Sequence, residues 1–122
     1  MASQTEVQAP GEFIFSEANG TLSRDNVVIV AGAGVIPSGR FVGKITASGK
    51  YDNYRVDNTP TGVSTFGGIL YAEVDATTAD QPAVVILRDA EVVNARVTTE
   101  VGGDKANAAT VTALATANII LR

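Results

Sequence analysis

The apolar residues of this chain fall in short runs separated by glycine, proline and small polar residues. The longest run, Val27-Val28-Ile29-Val30-Ala31, has the length of a buried strand and predicts one over 26–31. A second strand is expected over 40–46, where Phe41 and Ile45 share one face and Val42, Lys44 and Thr46 the other. A third is expected over 69–74, with Leu70, Ala72 and Val74 alternating against Ile69, Tyr71 and Glu73. Residues 83–87 are almost continuously apolar and predict a central strand. Beyond it, 88–99 continues as extended, edge-like structure, and Ile119-Ile120-Leu121 as a short strand.

Turn chemistry separates these runs. Asn19-Gly20 is a tight-turn signal, since both residues tolerate positive φ. The stretch 31–39, with Gly32, Gly34 and Gly39, predicts a wide turn. Residues 51–67 predict a polar loop and 75–82 another. One helix is expected at about 104–117, with Asp104 as its N-cap. Ala108, Val111 and Ala115 would form its packing face, with Leu114 at the flank. Asn118 is placed to end it.

Before Phe13-Ile14-Phe15, which opens the folded part, residues 1–11 predict an extended N-terminal arm. The arm is polar and small, and Pro10-Gly11 break any regular structure. Such a segment cannot bury enough surface to offset its own ordering entropy. Thr5-Glu6-Val7-Gln8 would nevertheless pair as a strand on an offered edge. The fold class expected is mostly β (α+β). It is a compact small β-sheet or barrel-like domain over 12–122, with one short C-terminal helix and the arm over 1–11.

Composition narrows the chemistry. The chain has 122 residues, enough for one domain with an ordinary core. It has no cysteine and no histidine. Disulfides and thiolate chemistry are therefore excluded, and so are the commonest metal ligand and the usual acid–base group near neutral pH. The net charge is -4 and the nine Lys and Arg are scattered, so no basic stripe for nucleic acid is present. The start lacks the charge and apolar pattern of a secretion signal, and no run has transmembrane length. No nucleic acid or membrane partner is expected.

The remaining candidates are weak. Gly32-x-Gly34 with Gly39 partly matches a dinucleotide fingerprint, but Pro37 and a strand follow where a helix is needed. Asp52 with Asp57, and Asp75 with Asp80, are carboxylate pairs without a catalytic or calcium signature. Ser23 and Ser38 have no histidine base. Tyr51 and Tyr54 have the chemistry to stack a base or sugar, although tyrosines beside a loop more often pack over a sheet edge. No cofactor and no metal is expected.

One further pattern lies in the order of short blocks. They run Gly20-Thr21-Leu22-Ser23-Arg24, Gly39-Arg40-Phe41-Val42-Gly43-Lys44, Gly49-Lys50-Tyr51 and Gly68-Ile69-Leu70-Tyr71. Then come Ala83-Val84-Val85-Ile86-Leu87-Arg88-Asp89-Ala90-Glu91-Val92 and Ile119-Ile120-Leu121-Arg122. This succession, over roughly 12–122, resembles the lambda-like head decoration proteins of tailed bacteriophages. The resemblance implies a structural virion protein and no enzyme. It implies a homotrimer at three-fold sites on the outer surface of the expanded capsid, stabilising the shell against DNA pressure. The protein would be made in the host cytoplasm, and its partner would be the major capsid protein. By the same resemblance the capsid-binding residues are Ala2, Ser3, Gln4, Thr5, Glu6, Val7, Gln8, Ala9 and Pro10. Two other readings are a tail or baseplate component, and a small ligand-binding β-domain gathering Asp52, Asp57 and Tyr54.

Overall fold

The computed structural model describes residues 9–55, 60–93, 96–98 and 108–122. The strands are β1 (Ile14–Glu17), β2 (Arg24–Ile29), β3 (Gly34–Ile36), β4 (Phe41–Lys44), β5 (Tyr51–Asn53), β6 (Phe66–Leu70), β7 (Val74–Ala76), β8 (Gln81–Ile86), β9 (Ala90–Val92) and β10 (Ile119–Leu121). The helix α1 (Ala108–Thr116) precedes β10. Five strands close into a barrel in the order β2-β5-β4-β6-β8. A three-stranded sheet, β1-β9-β10, and a two-stranded ribbon, β3-β7, complete the described strands. The fold is mostly β with a closed barrel and one short C-terminal helix, as the sequence pattern implies.

Much of β4, β6 and the second half of β8 is buried on both faces, and this organises the molecule. Successive side chains on a strand point to opposite faces. Val42, Leu70 and Val85 join Ile29 and Ala83 in one cluster inside the barrel, which Ile36 and Ala76 of the ribbon cap. Their chain neighbours Phe41, Ile69 and Ile86 point outward into a second cluster. That cluster is closed over by Phe13, Ala90, Val92, Ile119 and Leu114 from the small sheet and the helix. Phe41 and Phe66 meet edge to face within it, with ring centroids 5.2 Å apart. Continuous apolar runs such as 83–87 follow from this two-sided burial.

Several expected boundaries are corrected. The wide turn at 31–39 contains β3, which pairs antiparallel with β7 through Ile36↔Val74. The expected strand over 69–74 is two strands. Tyr71 still bonds Val84 through its N–H, at 2.9 Å, but the chain then bends so that Val74 reaches a different partner. The ribbon also takes the first residues of the loop expected over 75–82, and β8 takes the last.

The polar loop expected over 51–67 begins with barrel strand β5 and ends within β6. Its polarity hid it. Asp52 and Asn53 are buried, and their polar atoms are satisfied internally. Asp52 accepts the Asn53 N–H at 2.6 Å and an Arg55 bond at 3.1 Å, while Asn53 donates to the Ala33 carbonyl at 3.3 Å. Residues 60–65 lie tight against β4, where a Cβ on Gly43 would sit 2.5 Å from the Val63 Cα.

Strand β9, expected to be edge-like, is central. It pairs antiparallel with β1 and parallel with β10. Among the described side chains of α1 Leu114 is buried and Ala115 is exposed, so Ala115 does not join the packing face as expected. The side chains of Ala108 and Val111, and the N-cap expected at Asp104, lie outside the described residues. Asn118 does end the helix, at φ 58, and β10 follows as expected.

Candidate interaction surface

The expected arm meets the domain at a root fixed by several bonds. Ala2 to Gln8 lie outside the described residues, while Ala9 and Pro10 are exposed. The Glu12 N–H donates to the Ala9 carbonyl at 3.1 Å, and the Ala9 N–H to the Glu12 carboxylate at 3.1 Å. Arg96 holds the other Glu12 oxygen at 2.7 Å. Gly11, at φ 71, donates its N–H to the Tyr71 carbonyl at 2.9 Å. The Ser38 hydroxyl donates to that same carbonyl at 2.8 Å. Phe13 then anchors the chain, fully buried in the outer cluster.

Tyr71 links this root to β1 and β2. The Arg24 guanidinium lies 4.3 Å from the Tyr71 ring centroid and grips Glu17 through two bonds of 2.6 and 3.0 Å. The Glu17 bond is the main cause holding the Arg24 pKa above its ordinary value. Residues 9–12, the end of β1 and the start of β2 therefore share one polar network.

Beside the root the small sheet presents an open edge. Among the described residues β1 pairs only with β9, and its other edge faces none of the described strands. Its register shifts between Ile14 and Ser16, and Phe15 at this irregularity is 67% exposed. Ser16, Glu91 and Ile120 lie in a row across the three strands. Ile120 and Leu22, both exposed, line a groove of about 380 Å³ on this face. Sequence reasoning missed Phe15 and Leu22 as surface residues. Phe15 sits in an apolar triplet whose orientation only the shifted register reveals.

The candidates for bond-making chemistry have structural partners. The Ser23 hydroxyl is buried, accepts the Ala18 N–H at 3.0 Å and donates to the Asp89 carbonyl at 2.9 Å. Asp75 caps its own turn through Thr77, which holds its carboxyl below the usual range. Asp80 is lowered chiefly by the Lys50 bond of 2.6 Å and then by the Ala31 N–H. Tyr54 is buried in the outer cluster, so it offers no stacking face, and Asp57 lies outside the described residues. Tyr51 lines a cleft of about 840 Å³ where β2 and β5 pair only at Ile29↔Tyr51. Burial, and then the charge of Asp25, push its hydroxyl pKa up. Gly32, Gly34 and Gly39 all have positive φ, which fits turns and no phosphate loop. Among the described residues no three acidic side chains stand close enough to hold a metal, and no helix is long and apolar enough to cross a membrane.

Compared with known families, residues 3–119 match the family model described as bacteriophage lambda head decoration protein D. The match begins inside the expected arm, further toward the N-terminus than the blocks that carry the resemblance. No curated protein and no solved structure matches the chain.

Proposed function

The chain belongs to the bacteriophage lambda head decoration protein family, and on that premise we propose how it decorates a capsid. The family consists of structural phage proteins, not known as enzymes, and membership places this chain on a phage capsid. Three copies sit at each three-fold site on the outer surface of the expanded shell and stabilise it against the pressure of packaged DNA. Residues 1–11 act as the arm and 12–122 as the decorating domain. The contacts are made by Ala2 to Pro10, with Thr5-Glu6-Val7-Gln8 adding a strand to the major capsid protein.

The observation that carries this reading is the family match over 3–119. The bonded root at Ala9 to Gly11 supports the role of the arm, because a fixed origin limits the volume the arm must search. Three arms on one trimer raise the effective concentration of the second and third contacts, so individually weak arms hold firmly together. Co-sedimentation with expanded, undecorated heads and with isolated tails tests the proposal. Saturable binding to heads in multiples of three is expected. Binding to tails alone would replace it with a tail-component role.

A further inference from the structure

Seven asparagines lie along the chain, and Asn19 alone is followed by glycine. The pair stands at the tip of the turn that joins β1 to β2, and both residues are exposed. The flanks of that turn are tied down. The Ala18 N–H donates to the Ser23 hydroxyl at 3.0 Å and to the Asp89 carbonyl at 3.2 Å. The Arg24 N–H donates to the Thr21 carbonyl at 3.1 Å, and Arg88 donates to the Leu22 carbonyl at 2.8 Å. Between these ties, neither Asn19 nor Gly20 takes part in a hydrogen bond with any described residue. Gly20 has φ 66, and a Cβ there would meet nothing within 4 Å. The Gly20 N–H is therefore not tied to a described acceptor, and no side chain of its own shields it from the Asn19 amide.

The other described asparagines are held. Asn53 is buried, its side chain donates to the Ala33 carbonyl at 3.3 Å, and the amide that follows it, of Tyr54, donates to the Phe41 carbonyl at 3.1 Å. The Asn118 side chain donates to Asp89 at 2.9 Å. Asn26 lies within β2. Valine follows Asn26 and isoleucine follows Asn118, and a β-branched side chain crowds the amide that would have to attack. Asn58, Asn94 and Asn107 lie outside the described residues, and threonine or alanine follows each.

We propose that Asn19 is a site of spontaneous deamidation in the folded protein. Hydroxide takes the proton of the Gly20 N–H, and that nitrogen forms a bond to Cγ of Asn19, closing a five-membered imide. The bond from Cγ to the side-chain nitrogen breaks. That nitrogen leaves as ammonia with a proton from water, which regenerates hydroxide. Water then opens the imide. Attack at Cγ leaves an aspartate, and attack at the main-chain carbonyl leaves an isoaspartate, whose backbone runs through Cβ and Cγ. Nothing is oxidised or reduced. One amide is exchanged for one carboxylate, and the net charge becomes one unit more negative than -4. The new carboxylate follows Ala18, which lines the groove of about 380 Å³ together with Glu17, Asp89 and Glu91, so this face gains acidity. No partner is needed, and the chemistry is independent of the decoration role.

The test is incubation of the full chain at mildly alkaline pH, with circular dichroism to establish that it stays folded. Intact mass reads the exchange of NH2 for OH, and peptide mapping with an isoaspartate-specific methyltransferase locates it. Asn19 is expected to convert first, to a mixture of isoaspartate and aspartate. Asn19→Gln should lose this first conversion, because the longer side chain would have to close a six-membered ring. Gly20→Ala should slow it several-fold, since the added Cβ crowds the attacking amide. A first conversion at any other asparagine would overturn the inference, and so would an undiminished rate in Gly20→Ala. Asn19 intact in the folded chain but converted in urea would overturn it as well, since the fold would then be shielding the turn.

Discussion

The N–H of Gly11 donates to the carbonyl of Tyr71 at 2.9 Å, and a Cβ on Gly11 would lie 2.7 Å from the Tyr71 ring. The position therefore needs glycine for two reasons. Its φ of 71 is left-handed, and the ring leaves no room for a side chain. Gly11→Ala is expected to destabilise the domain by about 1–3 kcal/mol through backbone strain and displacement of Tyr71. Urea denaturation measures that loss. Head binding by the folded fraction should weaken too, because the root of the arm has moved.

Ile69 and Leu70 are adjacent, fully buried and in different clusters. Truncation of either should be costly. Ile69→Ala opens the outer cluster and Leu70→Ala the barrel interior, and each is expected to lose about 2–5 kcal/mol. A sheet with one wet face would tolerate one of the two. Urea midpoints of both variants check the two-core arrangement directly.

The sequence pattern identified what repeats along the strands and missed what depends on distant partners. Burial of 83–87 was legible because two-sided burial writes a continuous apolar run. Asn118 was legible because ending a helix is a local matter of φ. Strand β5 was not legible, because Tyr51-Asp52-Asn53 is polar and its burial depends on bonds from Arg55 and Asn53 and to Ala33. The central place of β9 was hidden for a similar reason. Its parallel partner, β10, follows the helix and lies far along the chain. For the candidate site, the sequence marked Pro10-Gly11 as a break but held no sign of the Tyr71 bond that fixes it.

Ser23 is fully buried and joins Ala18 to Asp89 through one hydroxyl. Ser23→Ala removes one of two donors to the Asp89 carbonyl and one of two acceptors from the Ala18 N–H. The expected loss is about 0.5–1.5 kcal/mol. Hydrogen exchange should show faster opening at the β1–β9 junction than in the barrel, since the Ala18 N–H also donates to Asp89 there.

Asp80 provides a pH test. Its carboxyl is held low, first by Lys50 and then by the Ala31 N–H. The folded chain therefore binds the Asp80 proton less readily than the unfolded chain does. The resulting stabilisation is fully present above the unfolded value of about 3.9 and is lost as pH falls through the lower folded value. Lys50→Met should move the Asp80 titration midpoint upward, toward the ordinary range. A carboxylate-detected NMR titration reads this shift, and an unchanged midpoint would show that the Lys50 bond is not its main cause.

Capsid binding is expected to run through the arm, and co-sedimentation with expanded, undecorated heads tests this most directly. The full chain and a chain lacking residues 2–10 are compared at equal concentration, with circular dichroism to establish that both fold. The expected result is saturable binding of the full chain in multiples of three per site, lost in the shortened chain. Undiminished binding of the shortened chain would contradict the arm as the capsid-binding element and move the contact to the domain surface.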